Sequence, residues 1–215
     1  ILLFANEEQK KKYLPPIATG KKLAAFGLTE ANAGSDAIGM MKTTARLEGD
    51  YYVLNGTKQW ITNGENAEIY TVMAITNPAR GARGVSAFIV EKGTPGFSFG
   101  KHEDKMGIRA SSTTELIFQD CKVPKENLLG MEGQGAIITI NTLNYSRPGV
   151  GAQALGIAAG ALDDALAYSR QRVQFGAHIS SFQAIQHMLA NMATEIEAAR
   201  ALLYATAKTI DAGEK

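Results

Sequence analysis

The spacing of apolar and polar residues divides the chain into three zones. Residues 1–23 contain a short polar segment, NEEQKKKYL, that is typical of a surface helix. Residues 24–130 carry short apolar or alternating runs, among them AAFGL, YYVL, TKQWIT, IYTVMAI and VSAFIVE, which are typical of β-strands. Residues 131–215 place apolar side chains every three or four positions, which indicates long helices. The pattern predicts an α+β protein, in which an antiparallel β-barrel or sandwich is followed by part of an antiparallel helical bundle.

Local signals predict where some elements begin and end. Asn6 can cap the first helix, and Pro15 and Pro16 are expected to end it. Asn55-Gly56 lies between YYVL and TKQWIT, and this dipeptide favours a two-residue hairpin turn because both positions tolerate positive φ. We therefore expect two separate strands on either side of it.

The helical zone has its own start signals. Ser180 and Gln183 are spaced as a capping box in front of a long apolar stripe. A second helical pattern covers residues 151–172, and Pro148 either begins it or kinks a longer helix that starts near Gly135.

Composition excludes several classes of protein. The net charge is +1 and the charged fraction is 20%, which gives no basic surface for nucleic acid or anionic lipid. Cys121 is the only cysteine, so the chain has no intrachain disulfide and no cysteine-based zinc site. The sequence opens at Ile1 without Met and closes at Lys215 within a helical pattern. We expect it to be a piece of a longer protein.

The segment FGLTEANAGSD (26–36) is the first candidate for ligand binding. An apolar strand runs into a turn that holds Thr29, Gly34 and Ser35. Small residues let backbone amides approach a ligand, and hydroxyls in such a turn suit carbonyl, ribityl or phosphate oxygens. From residue types alone, an ordinary polar turn explains the segment as well. The spacing matches neither a P-loop nor a Rossmann fingerprint.

The segment GTKQWITNG (56–64) holds the only tryptophan, Trp60, two positions before Thr62. Residues two apart on a strand face the same side, so an aromatic ring and a hydroxyl could together meet a planar cofactor. A tryptophan buried in the core is the alternative interpretation.

Two polar segments in the helical zone suit phosphate or nucleotide groups. Arg147 lies near a helix start or kink, where it could hold a phosphate or form a surface ion pair. The stretch RQRVQFGAHISSFQ could meet an adenine or pyrophosphate, or simply pack on a neighbour. The three histidines, His102, His178 and His187, show no metal-ligand spacing, so no metal site is expected.

Taken together and in order, these segments resemble the acyl-CoA dehydrogenase family. The likeness rests on FGLTEANAGSD, LNGTKQWITNG, FIVEKGTPG, HEDKMGIRASST, FQDCKVPKENLLG and RVQFGAHISSFQAIQ, which span essentially the whole chain. The resemblance implies three parts: the end of an N-terminal helical domain (1–23), a middle β-domain that binds flavin and acyl-CoA (24–130), and the first part of a C-terminal helical domain (131–215).

The resemblance implies an FAD-dependent enzyme that oxidises an acyl-CoA thioester to the trans-2-enoyl-CoA. It implies that FAD is held by two groups of residues. The first is Phe26, Leu28, Thr29, Gly34, Ser35, Trp60, Ile61 and Thr62 on the isoalloxazine side; the second is Arg172, Gln174, Phe175 and Gln183 on the adenosine and pyrophosphate side, across a subunit interface. It implies that substrate meets Ser35, Asn144, Tyr145, Ser146 and Arg147. Asn144 stands where the family commonly has Asp.

The catalytic base is not expected among these residues. Most family members carry a glutamate far down the C-terminal domain, and some branches place it at the position of Ser146. Serine cannot take this proton, so we expect the glutamate beyond Lys215.

The likeness is to butyryl-type members, which implies a short-chain substrate, electron-transfer flavoprotein as the electron acceptor and a homotetramer built as a dimer of dimers. The expected compartment is the bacterial cytoplasm or the mitochondrial matrix. Three alternatives stay open at this point: an acyl-CoA oxidase, a cyclic or aromatic acyl-CoA dehydrogenase, and an inactive homologue that only binds flavin or acyl-CoA.

Overall fold

The computed structural model describes residues 1–213, and the chain opens with the expected helix. α1 (Glu7–Ala18) is capped by Asn6, whose side chain accepts from the Gln9 amide at 2.8 Å while the Gln9 side chain accepts from the Asn6 amide at 3.1 Å. The expected stop at Pro15 and Pro16 is wrong, since both lie inside α1. Neither proline has an N–H to donate, but they come so late that only the last turn loses hydrogen bonds.

Among the described residues, eight strands form one sheet. They are β1 (Ala24–Gly27), β2 (Thr44–Glu48), β3 (Tyr51–Thr62), β4 (Ile69–Ile75), β5 (Val85–Glu91), β6 (Phe97–His102), β7 (Thr113–Pro124) and β8 (Leu128–Leu129). The order is β6-β7-β3-β2-β4-β5-β8, and β1 pairs with β4 off this path. Most pairs are antiparallel, whereas β1 and β2 each run parallel to β4. The sheet is not closed, and the predicted α+β class is confirmed.

The turn expected at Asn55-Gly56 is wrong, because β3 runs without a break through both residues. Asn55 pairs with Thr44 of β2, and the hairpin turn lies instead at Gly49 and Asp50, where Gly49 has φ 60°. Gly56 serves a close backbone approach. A Cβ there would lie 2.7 Å from the Thr43 Cα, and its φ of 144° suits glycine alone.

The sheet buries side chains on both faces. Tyr70 and Val72 of β4 lie in one core with Leu54 and Phe88, whereas Ile69 and Met73 lie in the other with Tyr13 of α1. Successive residues of one strand point to opposite faces. A strand buried on both faces therefore appears in the sequence as the continuous apolar run IYTVMAI.

Two long helices follow the sheet. α2 (Gly135–Gln171) contains Pro148, which confirms the longer of the two helices considered from the sequence. α3 (Gln183–Asp211) begins after Phe182, which makes no side-chain cap, so the capping box expected from Ser180 is wrong. Ser180 lies instead in a short 3-10 turn that precedes the helix.

A small hairpin connects these helices. β9 (Val173–Gln174) pairs with β10 (Ala177–His178), and the two residues between them, Phe175 and Gly176, have φ of 51° and 77°. Positive φ at both positions is typical of a tight two-residue hairpin loop.

The described chain divides into two compact units, residues 1–140 and residues from 141 onward. The three-part division expected from the sequence stays a prediction. Within residues 1–213, neither long helix has the sustained apolar stretch that a bilayer crossing requires.

Candidate functional site

The first candidate segment leaves β1 and turns back on itself. Phe26 is half-buried at the end of β1, and the Leu28 side chain points into the core at 8% exposure. The backbones of Glu30 and Ala33 hydrogen-bond to each other in both directions, at 3.2 and 3.0 Å, which closes the turn. Leu28 can therefore face a ligand only through its backbone.

The turn leaves Gly34 and Ser35 exposed. A Cβ built on Gly34 would meet no atom of the described chain within 4 Å. Glycine is thus not required there by the packing of these residues, and the space beside it remains available to a ligand backbone or ring.

A bulge at the end of β3 presents Trp60. Lys58 pairs with Leu116 of β7 and Ile61 pairs with Thr114, so β3 has one extra residue between them. Trp60 lies in this bulge with φ 57°, a region that bulky residues rarely adopt. Its side chain is 53% exposed, which excludes the alternative of a core tryptophan. Ile61 next to it is buried.

The structure brings the two candidate segments together. The Gln59 amide of β3 donates to the Thr29 carbonyl at 2.8 Å. Phe26 and Thr62 line the same cavity of about 440 Å³, whose other lining residues are Ile1, Leu2, Leu14, Ile17, Ala24, Ala25, Asn63 and Thr71. This volume is within the usual range of ligand sites, about 300–1,000 Å³. One end of the sheet therefore carries an apolar recess that is edged by hydroxyl and amide groups.

Three hydroxyls of the two candidate segments are unengaged by the chain. In the portion of the chain that the structure describes, the side chains of Thr29, Ser35 and Thr62 make no hydrogen bond to another residue. Together with the exposed indole of Trp60, they supply an aromatic surface and several donors. This donor set fits a planar heteroaromatic group with carbonyl and ring-nitrogen acceptors, which is the chemistry of a flavin.

Sequence reasoning missed an ion pair that joins these segments. The Lys58 ammonium lies 2.8 Å from Glu30 Oε1 and donates to the Leu28 carbonyl at 3.1 Å. The Lys58 side chain is fully buried and that of Glu30 is 8% exposed. The only sequence signal was a lysine in an otherwise strand-like run, and period-two alternation would have placed it on the same face as Trp60. The extra residue of the bulge breaks this alternation, so Lys58 is buried whereas Trp60 is exposed.

Burial and pairing act against each other on these two charges. Burial lowers the pKa of Lys58 to about 8, although the hydrogen bond and charge of Glu30 raise it. Burial by itself raises the pKa of Glu30, but hydrogen bonds from Lys58 and Thr43 outweigh this effect, and the pKa of the carboxyl is lowered. At neutral pH both groups are therefore charged.

The second compact unit holds the other predicted cofactor residues. Arg172, Gln174 and Gln183 are exposed around the β9–β10 hairpin, and Phe175 at its tip is 96% exposed. The nearest ring to Phe175 is Phe182, with centroids 6.4 Å apart. A cation, two amides and an aromatic ring are therefore all exposed within residues 172–183.

Three of the four predicted substrate residues of α2 line a cavity of this second unit. Asn144, Tyr145 and Arg147 border a space of about 860 Å³ together with Leu202 and Ile210 of α3. Arg147 Nη1 donates to Asn144 Oδ1 at 2.6 Å, and all three polar residues are exposed. The Ser146 hydroxyl donates to the Leu143 carbonyl at 3.1 Å.

Comparison with known proteins shows to which family the chain belongs. The family model of the acyl-CoA dehydrogenase middle domain matches residues 25–121, and that of the acyl-CoA dehydrogenase C-terminal domain matches residues 133–215. The chain belongs to the acyl-CoA dehydrogenase family. Members of this family are FAD-dependent oxidoreductases, and the flavin chemistry of the donor set described above agrees with that cofactor.

Individual acyl-CoA dehydrogenases are similar over nearly the whole chain. The short-chain-specific enzyme of Megasphaera elsdenii is 55% identical over 204 residues, which is 95% of this chain and 53% of that protein. The solved butyryl-CoA dehydrogenase of M. elsdenii is 54% identical with a TM-score of 0.98, over 100% of this chain and 56% of that one. A chain solved in work on the electron transferring flavoprotein of Acidaminococcus fermentans is 58% identical, also with a TM-score of 0.98, over 100% and 56%. The chain spans about half the length of the curated relatives it matches.

Proposed function

We propose that this chain supplies the flavin wall and the substrate helix of a short-chain acyl-CoA dehydrogenase. In this proposal, FAD-dependent removal of hydrogen from Cα and Cβ of a thioester gives the trans-2-enoyl-CoA. The observation that carries it is the recess that Phe26 shares with Thr62, whose strand also exposes Trp60 two residues earlier.

FAD would supply the hydride acceptor of the reaction. The residues of this chain would hold and orient it. The indole of Trp60 and the ring of Phe26 offer apolar contact to a planar system, while the hydroxyls of Thr62 and Thr29 donate to its polar edge. Ser35 is assigned to the flavin and to the thioester chain together.

The β9–β10 hairpin is assigned to the adenosine and pyrophosphate half of the cofactor. The Arg172 guanidinium suits a pyrophosphate because its planar donors match phosphate oxygens, and the amides of Gln174 and Gln183 suit ribose or adenine. Phe175 offers a ring on which an adenine can stack. Its 96% exposure supports this assignment, since a ring with so little burial gains little from its own chain.

The substrate is assigned to the helix that carries Asn144 and Arg147. A guanidinium beside the 860 Å³ cavity suits the phosphates of CoA, and its hydrogen bond to Asn144 orients it. Removal of the α-proton needs a carboxylate base together with stabilisation of charge on the thioester oxygen. Ser146 donates its hydroxyl to a backbone carbonyl and is assigned no such role. We place the base outside the residues described here.

The relatives named above support the finer parts of the proposal. Two of them are called short-chain-specific or butyryl-CoA dehydrogenases, which supports a short acyl chain. The third was solved in work on an electron transferring flavoprotein, which supports such a protein as the electron acceptor.

The decisive experiment is anaerobic titration of the full-length protein that carries this sequence. We expect the purified protein to show a flavin absorption band that butyryl-CoA bleaches, with crotonyl-CoA as the product, and to transfer electrons to electron-transfer flavoprotein. Failure to bind FAD, or a band that no acyl-CoA bleaches, would overturn the proposal. Rapid reoxidation of the reduced flavin by oxygen would instead favour an acyl-CoA oxidase.

The role of Trp60 can be tested with a matched pair on the same strand. Trp60→Ala is expected to weaken FAD retention and electron transfer, whereas Tyr51→Ala, which removes another half-exposed aromatic ring from the opposite end of β3, is expected to change neither. Equal behaviour of the two variants would remove Trp60 from the flavin site.

A further inference from the structure

The Glu30–Lys58 pair joins the two chain segments that supply Phe26 and Thr62 to the proposed flavin recess. Lys58 comes just before the bulge that carries Trp60, and Glu30 comes just after the strand that carries Phe26. The lysine ammonium contacts both the Glu30 carboxylate and the Leu28 carbonyl. A third bond, from the Gln59 amide to Thr29, lies between them in sequence. The turn is therefore tied to the strand at three consecutive residues, 28 to 30.

Glu30 also ties the turn to a second strand. Its Oε2 accepts from the Lys42 amide at 2.7 Å, and its Oε1 accepts from the Thr43 amide at 3.0 Å and the Thr43 hydroxyl at 2.6 Å. Both carboxylate oxygens are thus used, and the residues that lead into β2 are held with the turn. One carboxylate joins three separate segments of the chain.

The pair is an expensive way to stabilise a fold. Two charges removed from water recover their lost hydration only with good geometry, and apolar side chains of similar volume often stabilise a protein as well. What apolar residues cannot reproduce is direction: the hydrogen bonds of Lys58 and Glu30 set the turn and the bulge at defined distances. A recess for a rigid planar ring needs its walls held to within a fraction of an ångström.

We propose that Glu30 and Lys58 are positioning residues for the flavin, which hold the 26–36 turn and the Trp60 bulge at the spacing that a flavin ring requires. The inference rests on the proposed function, since it assigns the recess to FAD. Neither side chain is itself exposed to the recess, so both act through Leu28, Thr29 and the bulge.

The test uses the full-length protein and three variants: Lys58→Met, the double variant Glu30→Gln/Lys58→Met, and Lys12→Met as the control. Lys12 of α1 is also paired with a glutamate, Glu91 of β5, at 2.7 Å, but both side chains of this pair are partly exposed. FAD affinity is measured by titration of the apoprotein, the flavin environment by its visible absorption band, and the stability of the apoprotein by urea denaturation.

Lys58→Met is expected to weaken FAD binding by about tenfold or more, the scale of a lost charge-assisted hydrogen bond, and to shift the flavin band. Lys58→Met leaves the Glu30 carboxylate buried without its partner, which is expected to destabilise the apoprotein. In the double variant no charge remains buried, so this lost stability is expected to return. FAD affinity and the band are expected to stay altered, because methionine cannot donate to the Leu28 carbonyl and the glutamine –NH2 group cannot accept from the Lys42 amide. Lys12→Met is expected to change neither FAD affinity nor the flavin band.

Recovery of FAD affinity together with stability in the double variant would overturn the inference, because the pair would then serve folding alone. Wild-type affinity in both Lys58 variants would overturn it as well. If Lys58→Met alone does not fold, the double variant still decides the question. An unmodified protein that binds no FAD contradicts the proposed function, whereas a flavin-binding protein with unaffected variants contradicts only the positioning role.

Discussion

The two compact units present their predicted ligand residues in different ways. In residues 1–140, the two candidate segments are held by buried residues. Leu28 and Ile61 lie in the core, and the Lys58–Glu30 ion pair joins one segment to the other. From residue 141 onward, the candidate side chains are exposed, as Phe175 shows at 96%. The contrast teaches that a change at a buried anchor of the first unit alters folding and ligand affinity together, whereas a change at an exposed position, as in the second unit, alters affinity with little effect on folding.

The largest expected effect is the loss of a core ring from the first unit. Phe88 of β5 is fully buried and its ring lies 4.9 Å from that of Tyr52. Phe88→Ala is expected to lower the free energy of unfolding of the apoprotein by about 3–5 kcal/mol, because it removes buried apolar surface and leaves a cavity. Urea denaturation followed by circular dichroism measures it. A loss under about 1 kcal/mol would mean that packing around Phe88 contributes little to the stability of the first unit.

A second effect comes from two glycines of the first unit that differ in surroundings. Gly64 is buried, and a Cβ there would collide with the Thr114 hydroxyl and lie 3.1 Å from the Ile61 carbonyl oxygen. Gly64→Ala is expected to destabilise the apoprotein by about 1–3 kcal/mol.

Gly34→Ala is the matched variant, because its new methyl meets no described atom within 4 Å. It is expected to leave apoprotein stability within about 0.5 kcal/mol but to weaken FAD binding by about tenfold through contact with the ligand. Urea denaturation of the apoprotein and titration with FAD measure both variants. Unchanged FAD affinity in Gly34→Ala would show that the flavin does not approach this turn.

Much of the first unit was predictable because its signals are local. The runs VSAFIVE and IYTVMAI became β5 and β4, and Asn6 caps α1 as its spacing predicted. The turn at Asn55-Gly56 was wrong for a tertiary reason. The pairing of β3 with both β2 and β7 keeps it extended, and Gly56 is needed for the approach of Thr43 rather than for a hairpin.

The buried ion pair was beyond local reasoning. Nothing next to Lys58 in sequence reveals that Glu30, which is 28 residues away, will meet it. The bulge before Ile61 also breaks the alternation by which the face of Lys58 would be assigned. The exposed segments of the second unit were easier to identify, because their candidate role depends on the residue types themselves and not on tertiary contacts with a core.

Two buried titratable groups of the first unit, Cys121 and Lys58, give its stability opposite dependences on pH. Burial raises the pKa of the Cys121 thiol in the first unit from 9.0 to about 12. The folded protein therefore keeps a proton that the unfolded chain loses, and this group's contribution to stability falls as pH rises above 9. Lys58 acts in the opposite direction: its pKa is lowered from 10.5 to about 8, so between these values the unfolded chain binds more protons and stability rises with pH.

Comparison of the unmodified protein with Cys121→Ala isolates the thiol, since Lys58 is present in both. Between pH 9 and pH 10.5, the unmodified protein is expected to lose about 1.5 kcal/mol of unfolding free energy relative to the variant. Urea midpoints across this range measure the difference. Parallel pH profiles would show that the thiol is more accessible to water than its full burial indicates.

The smallest expected effect on folding is at the tip of the hairpin in the second unit, and it is the direct counterpart of Phe88→Ala. Phe175→Ala removes the same ring, but the ring is 96% exposed, so apoprotein stability is expected to change by no more than about 0.5 kcal/mol. FAD affinity is expected to fall by about tenfold, the scale of one lost stacking contact with a base. Tyr168→Ala, which removes another exposed ring from α2, serves as the control and is expected to alter neither quantity. A Phe175 variant that loses stability as Phe88→Ala does, or that binds FAD as well as the control, would break the contrast between an anchored wall and an exposed surface.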